Sequence, residues 1–203
     1  MNAERIRIDL DQIARVDPDV NQALKQYGYP QPRVRPEGFG TLLSIVIGQQ
    51  ISTEAAAAVI QRVETLLPEI TASKLLKLAP GALRAAGLSR RKVEYAEGLA
   101  LAIVEGRLDL QALAQQADPE AIESITSLRG FGPWSAEIYL MFSLQRADIF
   151  PAADLALQVA LQRLKGLQQR PDSKLARETI QHWSPWRSAG SLFLWHYYRG
   201  APT

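Results

Sequence analysis

Two stretches of this sequence have residue types and spacing suited to chemistry. In Ser127-Leu-Arg-Gly-Phe-Gly-Pro-Trp-Ser-Ala-Glu137, Gly130 and Gly132 separate two segments that read as helices, about 119–127 and 133–144. Glycine permits positive φ, so a tight reversal between helices costs little. Pro133 suits the first position of the second helix, where a missing N–H is no loss. The N–H groups of Gly130, Gly132 and Trp134, at the positive end of that helix, make a site for one phosphate. An ordinary αα-hairpin with a glycine turn is the commoner meaning of such a pattern taken alone. The second stretch is Ile149-Phe-Pro-Ala-Ala-Asp-Leu-Ala-Leu157, in which Asp154 directly precedes a helical run. An aspartate there reads as an N-cap. The same placement keeps its carboxylate ionised, fit to stabilise a developing positive charge or to deprotonate a water.

The elements that must position these residues read as helices throughout. Residues from about 9 to 27 form one or two short helices, with Asp17-Pro18 as cap and first-turn pair. Residues 28–38, with Pro30, Pro32 and Pro36, are an extended connection. Phe39–Gly48 is apolar almost all round, as in a central buried helix, although a buried strand also fits so short a run. Gln49-Gln-Ile51 breaks it, and Ser52 caps an alanine-rich helix to about Leu67. Short helices follow near 72–78 and 80–86, and Ser89 caps another to about Glu105. Two more lead to the hairpin. Beyond Asp154 come helices to about Leu164, from Asp172 to Trp183 and from Trp186 to Tyr198. The fold class is therefore all-α.

Composition removes several alternatives. A formal charge of +2 and a pI near 9.0 are too mild to identify a nucleic-acid binder, so any positive face must be local. The chain has no cysteine, hence no disulfide and no cysteine-ligated iron–sulfur cluster, and its two histidines cannot build a usual zinc site. No long apolar run and no signal-peptide pattern occur, so a soluble intracellular protein without a membrane partner is expected.

Leu128-Arg-Gly-Phe-Gly-Pro-Trp-Ser-Ala136 followed by Pro151-Ala-Ala-Asp154 resembles the helix-hairpin-helix DNA glycosylases, most closely their AlkA-like, 3-methyladenine DNA glycosylase II branch. The resemblance covers roughly 38–199. It implies two helical subdomains flanking an active-site cleft. It also implies the compact form, without the N-terminal β domain of the fuller enzymes, so that 1–203 is one glycosylase domain with its hairpin at about 119–144 and its aspartate loop at 145–154. The missing cysteines exclude the cluster-bearing branches.

The resemblance assigns roles residue by residue. Asp154 is the catalytic carboxylate, facing the positive charge that develops on the sugar as an N-glycosidic bond breaks. Trp134 stands where glycosylases that also cut the backbone have a lysine able to form a Schiff base, which implies a monofunctional enzyme using water. Its π-face suits a cationic, alkylated base; plain helix packing is its ordinary alternative. Trp186 is implied near the base pocket and Arg187 on the aspartate side of the cleft. Ile138 replaces a third pocket aromatic, with Tyr139 and Tyr95 as the neighbouring aromatics available to compensate.

For DNA contact the resemblance implies the turn Gln49, Gln50, Ile51 and Ser52, with Gln50 at the position that fills the gap left by a flipped nucleotide. It also implies Arg129, Gly130 and Gly132 of the hairpin, and Arg90, Arg91 and Lys92 for phosphates. A structural Na+ or K+ on the backbone carbonyls of Thr126, Leu128 and Phe131 is implied too, with no catalytic cofactor.

The function implied is excision of alkylated purines, of the 3-methyladenine and 7-methylguanine type, from double-stranded DNA by base flipping. The enzyme would act as a monomer, cytoplasmic and nucleoid-associated in a bacterium and nuclear otherwise. Two rivals stand beside it: a related glycosylase for uracil, hypoxanthine or mismatched bases, and a non-catalytic helix-hairpin-helix DNA-binding module. Pure binding needs no carboxylate beside a phosphate backbone, which speaks against the second.

Overall fold

The computed structural model describes residues 1–200. In chain order its helices are α1 (Ala3–Val16), α2 (Pro18–Tyr27), α3 (Phe39–Gly48), α4 (Thr53–Leu66), α5 (Ala72–Leu75), α6 (Ala82–Ala85), α7 (Arg90–Val104), α8 (Leu110–Gln115) and α9 (Asp118–Thr126). They continue with α10 (Pro133–Phe142), α11 (Leu155–Leu164), α12 (Ser173–Thr179), a 3₁₀ turn (Gln181–Trp183) and α13 (Arg187–Gly200). No strand occurs among the described residues, in keeping with the all-α expectation.

The contacts divide the chain into two compact units, one spanning Arg35–Tyr139 and the other joining Met1–Val34 to the chain from Leu140 onward. In the first, α3 is the buried axis. Leu42, Leu43, Ile45, Val46 and Ile47 are each at most 3% exposed, so this helix is covered on all sides by α4, α7 and their neighbours. Burying each such side chain contributes roughly 1.5–3 kcal/mol. Caps foreseen from sequence form as side-chain bonds: Ser52 Oγ accepts from Ala55 N, and Ser89 Oγ from Lys92 N. The buried Tyr139 hydroxyl accepts from Gly38 N at 2.9 Å and fixes the entry to α3.

The second unit packs α11 and α1 against α13, with α2 beside α1. Its polar hub is Asp17, which caps α2 through Val20 N and is otherwise fully buried. Its carboxylate accepts from Lys165 Nζ at 2.6 and 2.7 Å and from the Trp183 indole at 2.7 Å, and lies 3.0 Å from His182 Nε2. Burial raises the Asp17 pKa, but these hydrogen bonds outweigh it and hold the carboxyl below its ordinary value. The indole of Trp183 lies against Gly190, where a Cβ would come within 2.5 Å of the ring.

Three sequence expectations change. Helix α1 begins at Ala3 rather than near residue 9, capped by Asn2 Oδ1 on Arg5 N. Helices α5 and α6 are each four residues long. The helix expected from Asp172 to Trp183 ends at Thr179, because His182 and Trp183 turn to Asp17 and the chain continues as a 3₁₀ turn.

Candidate active site

Within the first unit, the hairpin takes the predicted form. Helix α9 ends at Thr126 and α10 begins at Pro133, as expected, and α10 ends at Phe142, two residues before the end expected from sequence. Only Gly130 uses the left-handed backbone, with φ of 94°. A Cβ there would sit 2.2 Å from the Tyr95 ring, so glycine is required twice over. Gly132 differs from expectation: its φ is not positive, and a Cβ there would meet nothing within 4 Å. Its carbonyl instead accepts from Ser135 N and Ala136 N, opening α10. Among the described residues, no carbonyl accepts from the N–H groups of Gly130 or Gly132. Two open donors beside the positive end of a helix are what anion binding requires.

The turn after α3 and the start of α7 meet this hairpin. Gln50, exposed at the tip, holds φ of 57°, a left-handed conformation that costs a non-glycine residue free energy. Ile51 beside it is 41% exposed. Gln49 points the other way: its Nε2 donates to the Gly130 carbonyl at 2.9 Å and to Ser135 Oγ at 3.2 Å. Lys92, expected at a phosphate, donates its Nζ to the Ile47 carbonyl at 2.7 Å and closes the C-terminus of α3. Burial lowers its pKa. Arg90 and Arg129 are exposed and both reach Glu94, at 3.4 and 3.7 Å. Arg91 is exposed on the first turn of α7. Tyr95 and Tyr139, offered as extra pocket aromatics, are committed to the Gly130 contact and to Gly38 N. Trp134 is half-buried at the second residue of α10, and Ile138, one turn on, is buried.

Within the second unit, Asp154 caps α11. Its Oδ1 accepts from Leu157 N at 3.0 Å and from the Trp195 indole Nε1 at 3.1 Å. The carboxylate therefore has a fixed orientation at the positive end of a helix. Trp195, half-buried, stacks on Phe142 with ring centroids 5.6 Å apart.

The loop that carries Asp154 is clamped along its length by the start of α13. Arg187 Nε and Nη2 grip Asp148 at 2.6 and 2.7 Å, and Ser184 Oγ adds a bond at 2.7 Å. Burial raises the Asp148 pKa, but the hydrogen bonds from Arg187 and Ser184 bring it below the usual value. Ser188 Oγ accepts from Ile149 N and donates to Arg146 O, while Arg177 Nη1 donates to Phe150 O. Arg187 thus holds the aspartate loop through Asp148. Trp186 is half-buried just before α13, its backbone bonded to Trp183 and Ala189. The sequence reading missed Trp195, whose only signal was an indole on the last helix, far along the chain from its partner.

A glycine hairpin with open N–H donors and a clamped aspartate loop, on an all-helical scaffold, define the helix-hairpin-helix glycosylase fold. The chain belongs to the HhH-GPD superfamily of base excision DNA repair proteins, whose family model matches residues 43–185. It matches the structure of Schizosaccharomyces pombe 3-methyladenine DNA glycosylase (Mag1) in complex with abasic DNA with a TM-score of 0.87 at 25% identity, over 97% of this chain and 98% of that one. That nearly end-to-end match is to a compact form. DNA-3-methyladenine glycosidase from Bacillus halodurans gives a TM-score of 0.84 at 32% identity, over 95% of this chain and 89% of that one. DNA-3-methyladenine glycosylase of Saccharomyces cerevisiae is 30% identical over 197 residues, covering 86% of this chain. The chain spans 65% of the length of that yeast protein, and 39% of the length of a Bacillus subtilis relative to which it is 37% identical over 113 residues.

Proposed function

We propose that this chain is a monofunctional DNA glycosylase that hydrolyses the N-glycosidic bond of alkylated purines, of the 3-methyladenine and 7-methylguanine type, in duplex DNA. The observation that carries the reading is Asp154, whose Oδ1 is fixed by Leu157 N and the Trp195 indole. Such a carboxylate stabilises the oxocarbenium-like sugar as the C1′–N bond breaks. The base leaves with the bonding electrons, water adds to C1′, and a proton passes from that water to the carboxylate or to solvent. The alkylated base is a cationic leaving group and departs easily, so modest binding suffices and a broad substrate range follows. The substrate class comes from the names of the relatives, which are 3-methyladenine glycosylases.

Duplex DNA is the partner. The hairpin N–H groups of Gly130 and Gly132 take one backbone phosphate, with Arg129, Arg90 and Arg91 at its neighbours. Gln50, exposed and strained, fills the gap left by the extruded nucleotide, with Ile51 and Ser52 beside it. Trp134 offers its ring to the cationic base, and Ile138, one turn further along α10, supplies an apolar wall.

A Na+ or K+ ion bound by the Thr126, Leu128 and Phe131 carbonyls belongs to this reading as a structural element. The donor set fits, since carbonyl oxygens suit a hard cation and the Leu128 oxygen, which accepts from Phe131 N, keeps a second lone pair. The protein acts as a monomer, in the compartment that holds the DNA.

The test is incubation with a randomly methylated duplex, followed by chromatography of released bases. Release of 3-methyladenine and 7-methylguanine is expected. Release of uracil or hypoxanthine alone, from matched substrates, would replace this reading by its nearest rival.

A further inference from the structure

Gln49 directly precedes Gln50, the residue proposed above to fill the gap as a wedge, yet its own side chain bonds the hairpin. Its Nε2 donates to the Gly130 carbonyl at 2.9 Å and to Ser135 Oγ, on the first turn of α10, at 3.2 Å. The Gly130 carbonyl shares its peptide plane with Phe131 N, which donates to the Leu128 carbonyl at 3.1 Å. That plane is therefore held at both ends, and the peptide groups on either side of it carry the open N–H donors of Gly130 and Gly132. On the turn side, Gln49 is followed by the left-handed, exposed Gln50. The same end of α3 is tied by Lys92 Nζ on Ile47 O, while Tyr95, one helical turn further along α7, fills the space beside Gly130. Wedge turn, α7 and hairpin close into one ring of contacts, and Gln49 is its direct link between wedge and hairpin.

We infer that Gln49 is a positioning residue that sets the register between the Gln50 wedge and the hairpin's phosphate site, so that phosphate capture and nucleotide extrusion act as one event. The inference rests on the proposed glycosylase reading. It differs from the sequence expectation, in which Gln49 contacts DNA. A DNA contact would contribute affinity and salt dependence, whereas a register bolt contributes to the extrusion step and leaves encounter with the duplex alone.

The experiment compares wild type with Gln49→Met, which keeps the length and loses both donors, and with Gln49→Ala. Thermal unfolding confirms that each variant folds. Duplexes with 2-aminopurine beside an abasic-site analogue report extrusion by fluorescence, and single-turnover excision at saturating methylated duplex separates rate from affinity. Amide exchange at Phe131 reports the pinned peptide in the free protein. Both variants should lose about tenfold in single-turnover rate and exchange Phe131 about tenfold faster, the scale of one to two lost hydrogen bonds. Affinity for undamaged duplex and its salt slope should change less than about twofold. A lowered affinity with a shallower salt slope would overturn the inference in favour of a phosphate contact. So would unchanged exchange and extrusion. If wild type releases no base at all, the glycosylase reading fails, and the exchange and fluorescence arms still decide the role of Gln49.

Discussion

The Trp195 indole donates to Asp154 Oδ1 at 3.1 Å, the same oxygen that caps α11 through Leu157 N. A residue on the last helix therefore fixes the carboxylate on which the proposed chemistry depends. Trp195→Phe keeps an aromatic ring against Phe142 and removes only the donor. It should lower the excision rate at saturating substrate by about ten- to a hundredfold, the scale of one hydrogen bond to a charged group, with little change in DNA affinity. A rate equal to wild type would show that the indole packs without orienting Asp154.

The hairpin glycines should respond unequally. Gly130→Ala places a methyl 2.2 Å from the Tyr95 ring and demands left-handed backbone, which alone costs roughly 1–2 kcal/mol. It should weaken binding to every duplex alike, since phosphate contacts position without specifying. Gly132→Ala meets open space at ordinary φ and should bind within a few-fold of wild type. Gel-shift titrations with several flanking sequences check both, and equal losses would contradict the geometry.

Acid should destabilise the protein through Asp17 and Asp148. Both carboxyls titrate below their usual value of 3.8 in the folded chain. The unfolded state therefore binds protons first, and this stabilisation is complete above that pH and lost as pH falls below it. The melting temperature should be flat from neutrality to about pH 5 and then drop. Replacing Asp148 by Asn should flatten part of the drop while lowering stability at neutral pH, because Arg187 loses its charged partner. A drop beginning near neutrality would point to other groups.

Local chemistry carried much of this fold into view from sequence. Asp154 before Leu155 and Ser52 before Thr53 read as caps because capping is settled within one helical turn, and both caps form. The α3 axis was legible because residues apolar all round leave no solvent face. What stayed hidden depends on partners far along the chain. Asp17 caps α2 as its neighbours suggest, but nothing near it announces Lys165, His182 and Trp183. The charges of α1 masked the spacing of Ile6, Leu10 and Ile13, which all face the core. Gln49 had two equally polar destinations, and only the folded hairpin decides between them.

The proposed monofunctional reaction makes a prediction about the amines. In the proposed reading Trp134 takes the hairpin position where a Schiff-base lysine would stand, while Lys92 is bound to Ile47 O and Lys165 is held by Asp17 and Asp19. Borohydride should trap no protein–DNA adduct, and strand breaks should appear only after hot alkali. A stoichiometric adduct that disappears when one lysine is mutated would overturn the monofunctional assignment and return Trp134 to a packing role.

The most direct test of the account is release of free methylated base from duplex DNA by wild type and by Asp154→Asn, assayed side by side with binding to an abasic-site analogue. Asparagine caps a helix as well as aspartate does, so shape, fold and binding should persist. Excision should fall by roughly a hundred- to a thousandfold with the charge. Retention of substantial excision by the asparagine variant would contradict the central claim that Asp154 carries the chemistry.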